Sequence, residues 1–360
     1  MSEQPRISVT IMHHPRRRER IPALVQAVRP LPAQVVADPD PTGIPSPLRT
    51  AKVAWSTIAD GATHHLVLQD DIRLVEGFAD HLRRAITSRP LDGISLYSHW
   101  DSPHNSYFVR RAAVAGSPFA PLSTREWTPT QGFCLPVDRA RDLAKFLSTI
   151  PDEVKDDDEM VVIFCREQGI EVVATVPHLV DHRDEPTLAA HPGSFHATVF
   201  SARPALPAGH WDRAQLRQHR LSRMVEDSGY VVEFRHSRCG LRFTGVEPVE
   251  HEFPWYWHDS CALIGVEAED ILAAAEAYRP NGRLATELWA AGFLLGADAG
   301  RLGAAAPDPQ LSTLAVRSWI TSGLSAADRS GLTEPARQEL VDLGLAAVRC
   351  GCSSRLAVSA

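Results

Sequence analysis

The segment at residues 65–71 reads HLVLQDD, and it is the stretch that decides the fold class of the chain. An apolar run of strand length ends directly in two adjacent carboxylates, Asp70 and Asp71. In open α/β sheets, ligands bind beyond the carboxyl ends of the strands. The segment therefore predicts a buried strand that delivers two acids to a binding site. On spacing alone, the same two residues are equally well explained as caps of the following turn.

The sequence on both sides of this segment alternates between strand-like and helix-like patterns. Apolar, β-branched runs predict further strands at residues 7–12, 34–37, 93–97, 132–137 and 170–176. Helical spacing of apolar residues predicts helices at residues 20–28, 48–58, 78–86, 138–147 and 156–168. This alternation predicts an α/β domain with a mainly parallel sheet flanked by helices. Residues 102–130 show poor periodicity and predict an irregular loop that could cover a ligand.

The character of the chain changes near Ser201, where the segment SARPALPAGH is rich in alanine and proline. This change predicts a domain boundary, with one domain at residues 1–200 and a second at residues 201–360. The second region begins with a predicted hairpin across residues 230–243 and is mostly helical afterwards. Its helices are predicted at residues 271–278, 284–295, 314–320 and 334–348. The sequence does not indicate their role, although they could join copies of the chain into an oligomer.

Composition and charge disfavour several functional classes of protein. The 360 residues carry a formal charge of −7, which disfavours a general nucleic-acid binder. No apolar stretch approaches the length of a membrane span, and no apolar segment precedes the basic cluster near the N-terminus. The six cysteines are scattered, which indicates no disulfide framework. We therefore expect a cytoplasmic protein that does not span a membrane.

A second acidic cluster, KDDDE at residues 155–159, opens a predicted helix. Acids at a helix N-terminus complement the helix dipole, which is a sufficient structural reason for some of them. A carboxylate at such a position can also act as a general base towards a hydroxyl group. Both readings remain open on the residues alone.

The segment LVLQDDIRLVEGF resembles the acidic metal motif of glycosyltransferases with the A-type fold, the nucleotide-diphospho-sugar transferase fold. The resemblance extends to family 2 and to bacterial glycosyltransferases of lipo-oligosaccharide type. It implies a Rossmann-like A-type fold, contact of Asp71 with Mn²⁺ or Mg²⁺, and contact of Asp70 with a nucleotide-sugar. The family pattern has three acids, and Gln69 stands here in place of the first one.

Segments nearer the N-terminus fall in the order that this family requires. VTIMHHPRRRER at residues 9–20 resembles the opening strand and loop that hold the nucleotide. The resemblance implies nucleotide contacts for His13, Arg16 and Arg18, and contact of Asp38 with the base or ribose. The ordinary structural alternatives are a solvated helix start for the arginines and a loop turn for Asp38.

Three further residues match the family pattern later in the chain. Trp127 stands before the acceptor-side strand, which implies contact with a sugar ring, although a tryptophan is more often a core residue. Asp157 and Asp158 match an acidic pair eleven residues before a helix-ending glycine, which implies that Asp158 is the base. His182 matches a histidine that completes the metal shell, with a surface imidazole as the plain alternative.

The expected function is that of a metal-dependent hexosyltransferase. It would move a sugar from a nucleotide donor, expected to be a UDP-sugar, to a hydroxyl of an unidentified acceptor with inversion. A nucleotidyltransferase is one alternative, but the N-terminal loop HHPRRRER lacks the glycines of a phosphate loop. A non-catalytic binding or assembly protein on a transferase fold is the other alternative, and Gln69 in the metal motif favours it.

Overall fold

The structure is a computed structural model that describes residues 4–183, 194–213, 230–243, 254–304 and 306–354. It divides into two compact units. The first consists of Met1–His99 and Leu122–Arg213, and the second consists of Trp100–Pro121 and Ala214–Ala360. All the candidate site residues predicted from the sequence belong to the first unit.

The strands and helices alternate through the first half of the chain, and helices dominate the last third. In chain order, the strands are β1 (Ile7–His13), β2 (Ala33–Ala37), β3 (His64–Leu68), β4 (Ile72–Leu74), β5 (Gly93–Ser95), β6 (Phe119–Pro121), β7 (Gly132–Pro136), β8 (Val172–Thr175), β9 (Val180–His182), β10 (Tyr230–Arg235), β11 (Arg238–Phe243) and β12 (Trp255–Tyr256). The helices are α1 (Ile21–Ala27), α2 (Pro47–Ser56), α3 (Phe78–Ser88), α4 (Asn105–Val114), α5 (Val137–Ser148), α6 (Asp157–Glu167), α7 (Trp257–Ser260), α8 (Ala268–Ala275), α9 (Gly282–Arg301), α10 (Pro309–Ser322), α11 (Ala326–Ser330) and α12 (Glu334–Cys352).

The first unit is built on a mainly parallel sheet, as predicted. Six of its strands lie in the order β2-β1-β3-β7-β5-β8. Strand β1 is parallel to β2 and β3, and β5 is parallel to β8, whereas β7 is antiparallel to both of its neighbours. Because β7 runs in the opposite direction, its first residue, Gly132, pairs with Leu68 at the end of β3. The segment before β7 therefore meets the ends of β1, β2 and β3 at one edge, called the carboxyl edge below.

Helices α2, α5 and α6 cover one face of this sheet. Trp55 of α2, Leu143 of α5 and Phe164 of α6 share one buried cluster with Val67 and Phe133 of the sheet. The helices predicted at residues 48–58, 138–147 and 156–168 are confirmed, and their ends agree within two residues. Their apolar residues recur at helical spacing because only one face of each helix packs on the sheet.

The second unit contains the predicted hairpin and the predicted C-terminal helices. Tyr230 pairs with Phe243 across β10 and β11. Helices α9 and α12 approach each other at glycines: a Cβ on Gly296 would lie 2.1 Å from the carbonyl oxygen of Val348. A Cβ on Gly351 would lie 2.0 Å from the carbonyl oxygen of Phe293, so this helix pair requires glycine at both positions. Within the described ranges, no helix is long and apolar enough to cross a membrane.

The prediction of an irregular loop across residues 102–130 is wrong, because this segment contains α4 and β6. All ten residues of α4 are buried, so its sequence shows no alternation between an apolar and a polar face. Its two arginines are buried in hydrogen bonds of the second unit. Arg110 donates to Ser318 at 3.0 Å, and Arg111 donates to Asp298 at 3.0 Å. Sequence periodicity fails here because the buried charges find partners that are distant in the chain.

Replacement of Phe133 by alanine should destabilise the protein by about 3–5 kcal/mol, because Phe133 is fully buried in β7 and packs against Trp55. Urea unfolding of the full chain measures this loss. Leu91→Ala is the control, since Leu91 is 80 % exposed and its truncation should change the unfolding free energy by less than about 0.5 kcal/mol. Equal effects of the two substitutions would contradict the placement of β7 at the centre of the sheet.

Candidate active site

The two adjacent acids, Asp70 and Asp71, lie at the carboxyl edge in the turn between β3 and β4. Their residues are 5 % and 7 % exposed. Strand β4 pairs with β9, so that Ile72 lies opposite His182, and the amide of Arg183 donates to the carbonyl oxygen of Asp71 at 2.8 Å. This short ladder brings a segment from much later in the chain beside the acids.

The side chains of Asp71 and His182 form an ion pair. His182 Nε2 lies 3.2 Å from Asp71 Oδ2, and His182 Nδ1 lies 2.6 Å from the carbonyl oxygen of Arg183. Burial alone would lower the pKa of His182, but the hydrogen bond and the charge of Asp71 outweigh burial and raise it. Burial alone would raise the pKa of Asp71, but His182 and Arg17 outweigh burial and lower it to about 2. An imidazolium that donates from both nitrogens fits these contacts.

Arg17 supplies a buried positive charge to both acids. Its Nη1 lies 3.1 Å from Asp70 Oδ1 and 2.6 Å from Asp71 Oδ2. Burial would lower the pKa of this guanidinium, but the two carboxylates raise it overall. Since arginine is protonated throughout the physiological range, the site contains a permanent cation.

The end of β1 also contacts the acids. The amide of His14 donates to Asp70 Oδ2 at 2.7 Å, and His13 Nδ1 lies 3.5 Å from the same oxygen. Of the residues predicted for nucleotide contact in this loop, His13 therefore adjoins the acid pair. Arg16 and Arg18 are exposed at the surface.

Asp38 follows β2 at the same edge and is held by Arg49. The guanidinium donates from Nε to Asp38 Oδ1 at 2.8 Å and from Nη2 to Asp38 Oδ2 at 2.9 Å. Burial would raise the pKa of Asp38, but the hydrogen bonds from Arg49 and from the amide of Asp40 lower it. A ligand at this position would meet an ordered carboxylate–guanidinium pair rather than a lone acid.

A chain of hydrogen bonds links the end of β3 to the first turn of α6. Gln69 Nε2 donates to Thr130 Oγ1 at 3.3 Å, and the Thr130 hydroxyl donates in turn to the Asp157 carboxylate. A threonine hydroxyl has only one hydrogen to donate. Because that hydrogen serves Asp157, the residue at position 69 must be a donor. The amide of Gln69 meets this requirement, whereas a carboxylate at position 69 would not.

The segment that carries Trp127 lies against the start of α6. The amide of Thr128 donates to the carbonyl oxygen of Asp158 at 3.3 Å. Trp127 is 37 % exposed, whereas Asp157 is 3 % exposed. Asp158 is partly exposed, and its Oδ1 accepts from the amide of Glu159 at 2.8 Å. The structure thus brings an exposed aromatic residue, Trp127, and a partly buried acid, Asp158, to adjoining positions in the first unit.

Both acids of the α6 start have raised pKa values. Burial raises the pKa of Asp157 to about 6, against the opposing hydrogen bond from Thr130. Burial and the neighbouring charge of Asp157 raise the pKa of Asp158 to about 8. Such a pair can accept a proton near neutral pH.

Several buried polar atoms at the carboxyl edge have no hydrogen-bond partner within the described part of the chain. They belong to residues that end or follow β3, β5 and β8, or that precede β7: Asp71 Oδ1, Ser98 Oγ, Thr175 Oγ1 and Gln131 Oε1. A buried polar atom without a partner is costly, so a native structure satisfies it with water or with a ligand. This edge therefore has polar atoms to offer to a ligand.

Three residues of the site are not predicted from the sequence: Arg17, Arg49 and Thr130. Arg17 stands between two other arginines, and a run of like residues gives no signal of which side chain turns inward. The signal for Thr130 is its place just before a strand that begins at the carboxyl edge. Arg49 lies in α2, and its pairing with Asp38 depends on the loop between β2 and that helix.

Comparison with models of protein families finds no match, and comparison with curated proteins finds none either. The chemistry of this edge is therefore inferred from its own residues.

Replacement of Asp158 by asparagine should stabilise the protein at pH 8 more than at pH 4. The folded-state pKa of Asp158 is raised to about 8, whereas an unfolded aspartate titrates near 4. Between those values the folded state binds more protons, so ionisation costs stability as the pH rises, and asparagine removes that cost. Thermal unfolding across this pH range measures the difference. Asp138→Asn, at an exposed acid of α5, is the control, and a flat difference for Asp158→Asn would contradict the raised pKa.

Proposed function

We propose that the chain is a glycosyltransferase of the hexosyltransferase class with an A-type, Rossmann-like first unit. It moves a sugar from a nucleoside-diphosphate donor, expected to be a UDP-sugar, to an acceptor hydroxyl with inversion. The observation that carries the proposal is the link Gln69–Thr130–Asp157, which ties the acids after β3 to the acid pair of α6. A transferase needs a donor site and a base beside each other, and this link supports that arrangement.

The donor side of the proposed site consists of residues after β1, β2 and β3. The Asp38–Arg49 pair would contact the base or ribose, and His13 and Asp70 would adjoin the diphosphate and sugar. The donor diphosphate is a dianion, and Arg17 reduces the negative charge that Asp70 and Asp71 present to it. Arg16 and Arg18 lie at the surface, where they would attract the donor rather than hold it.

The acceptor side consists of Trp127 and the acid pair. The Asp158 carboxylate takes the proton of the acceptor hydroxyl as that oxygen bonds to the anomeric carbon of the sugar. The bond from the anomeric carbon to the diphosphate breaks, and the nucleoside diphosphate leaves with that electron pair. A raised pKa makes Asp158 a stronger base than an ordinary aspartate, and Asp157 beside it sustains that shift. Trp127 offers an aromatic face on which a sugar ring can pack.

The residues expected to hold Mn²⁺ or Mg²⁺ do not fit a divalent ion in their present arrangement. Asp71 and His182 lie 3.2 Å apart, but Nη1 of Arg17 contacts the Asp71 oxygen that faces His182. No group of three or more histidine, cysteine, aspartate or glutamate side chains suited to a metal occurs among the described residues. No step of the proposed reaction is therefore assigned to a metal.

The alternatives predict different binding behaviour. Gln69 first favoured a non-catalytic binding protein, but its amide is needed as a donor to Thr130, so its presence does not argue for lost activity. A nucleotidyltransferase would bind a nucleoside triphosphate in preference to a diphosphate-sugar. Cytoplasmic location and oligomer formation through the C-terminal helices stay predictions.

Calorimetric titration of UDP, GDP and dTDP into the full chain should reveal one tight ligand, expected to be UDP. The matched variants are Asp38→Asn, which should weaken binding about tenfold or more by freeing Arg49, and Asp138→Asn on the exposed face of α5, which should not. If none of the three nucleotides binds to folded protein, the transferase proposal fails.

Release of UDP from UDP-glucose, with water as the acceptor, should become faster as the pH rises from about 6 to about 8. The reason is that the base must be ionised, and the acid pair has pKa values of about 6 and about 8. Asp158→Asn should lower the rate by about 10²–10⁴-fold and remove this pH dependence. If Asp158→Asn keeps the pH dependence of the wild type, Asp158 is not the base. That result would not bear on whether the protein binds UDP.

A further inference from the structure

Arg17 differs from its neighbours in the short 3₁₀ segment Pro15–Arg20, because its side chain turns into the protein. Arg16 and Arg18 are exposed, whereas Arg17 is 8 % exposed. The backbone of Arg17 also leaves helical values, with φ −116° and ψ 18°. One nitrogen of its guanidinium reaches both acids that follow β3. The position between Asp70 and Asp71 is thus already taken by a cation.

Charge and geometry both disfavour a divalent ion beside Arg17 at the position between Asp70 and Asp71. Two adjacent buried carboxylates repel each other unless a cation lies between them. The oxygen of Asp71 that faces His182 at 3.2 Å, Oδ2, already accepts from Arg17 at 2.6 Å, so a divalent ion bound through this oxygen would have to displace Arg17. Such an ion would also lie beside a buried guanidinium that cannot give up its proton, and like charges at short range repel strongly.

We propose that Arg17 is the resident cation of this site, and that it takes the place of the divalent metal that the acidic motif would otherwise bind. Its charge keeps the two carboxylates together and reduces the negative charge that they present to the donor diphosphate. The part that concerns the donor rests on the proposed function. A covalently attached cation is present without any metal in the medium, and a chelator does not remove it. Arg17 is thus a positioning residue for Asp70 and Asp71.

The direct test uses Mn²⁺ alone as the probe, titrated by calorimetry and by electron paramagnetic resonance. The wild-type chain should show no stoichiometric Mn²⁺ site. Arg17→Ala removes the cation that Asp70 and Asp71 share, so it should bind Mn²⁺ at least about tenfold more tightly than the wild type. The double variant Arg17→Ala/Asp71→Ala should lose that site. A one-to-one Mn²⁺ site in the wild type that Asp71→Ala abolishes would overturn the proposal.

Two further variants separate charge from folding. Arg17→Lys keeps a positive charge and should exclude Mn²⁺ as the wild type does, while thermal unfolding reports whether each variant is folded. Arg18→Ala, at the exposed neighbour, should leave Mn²⁺ behaviour unchanged. If Arg17→Ala fails to fold, the wild-type titration still tests the proposal. A stoichiometric Mn²⁺ site at Asp71 in the wild type would overturn it without any result from Arg17→Ala.

UDP titrations in EDTA and in Mn²⁺ distinguish this proposal from the transferase itself. Equal UDP affinity in both media supports a resident cation, and UDP binding that requires Mn²⁺ overturns it. If UDP binds in neither medium while Arg17→Ala alone gains a Mn²⁺ site, the transferase proposal fails and Arg17 remains the cation of the acid pair.

Discussion

Two carboxylates buried side by side after a central strand impose the main constraint on the first unit. A buried carboxylate without a partner is costly, because removing a charge from water takes a large amount of free energy. The protein meets this cost with groups from three places: the guanidinium of Arg17, the amide of His14 and the imidazole of His182. Removal of any one of these groups would leave charge uncompensated at the carboxyl edge.

This constraint explains local features that would otherwise look unrelated. The 3₁₀ segment after β1 must kink at Arg17 for one arginine to reach the acids. The two-stranded ladder of β4 and β9 exists in a unit that already has a larger sheet, and it holds His182 opposite Ile72, next to Asp71. The backbone of the turn is fixed as well, since Arg183 donates to the carbonyl of Asp71.

The acid pair of α6 presents the opposite electrostatic case. Asp70 and Asp71 have a cation beside them, whereas Asp157 and Asp158 are stabilised mainly by hydrogen bonds from Thr130 and from amides of the first helical turn. At this pair, burial and the repulsion between neighbouring charges outweigh these donors, so the pKa values of both acids rise. One edge of a sheet thus carries a carboxylate held ionised, Asp71, and a pair that can exchange protons near neutral pH. A difference of this kind is what a site needs in order to bind an anion and accept a proton in adjoining places.

Local sequence patterns are enough to predict the α/β class, most helices and strands of the first unit, the C-terminal helices and the hairpin at residues 230–243. In each of these elements, apolar residues recur with the period of a helix or a strand. This period can be recognised in the sequence without knowledge of the tertiary contacts. The sequence also indicated both acidic clusters, since an apolar strand that ends in Asp70 and Asp71 is a local pattern.

Which residues contact each other could not be predicted in this way, because such contacts join distant parts of the chain. Helix α4 escaped prediction because Arg110 and Arg111 are buried against partners about 200 residues away. Arg17 could not be distinguished from Arg16 and Arg18, because the inward turn of one side chain depends on the carboxylates that β3 brings to it. The pairing of buried charges that are distant in the chain follows no sequence period. The partners can therefore be identified only from the folded structure.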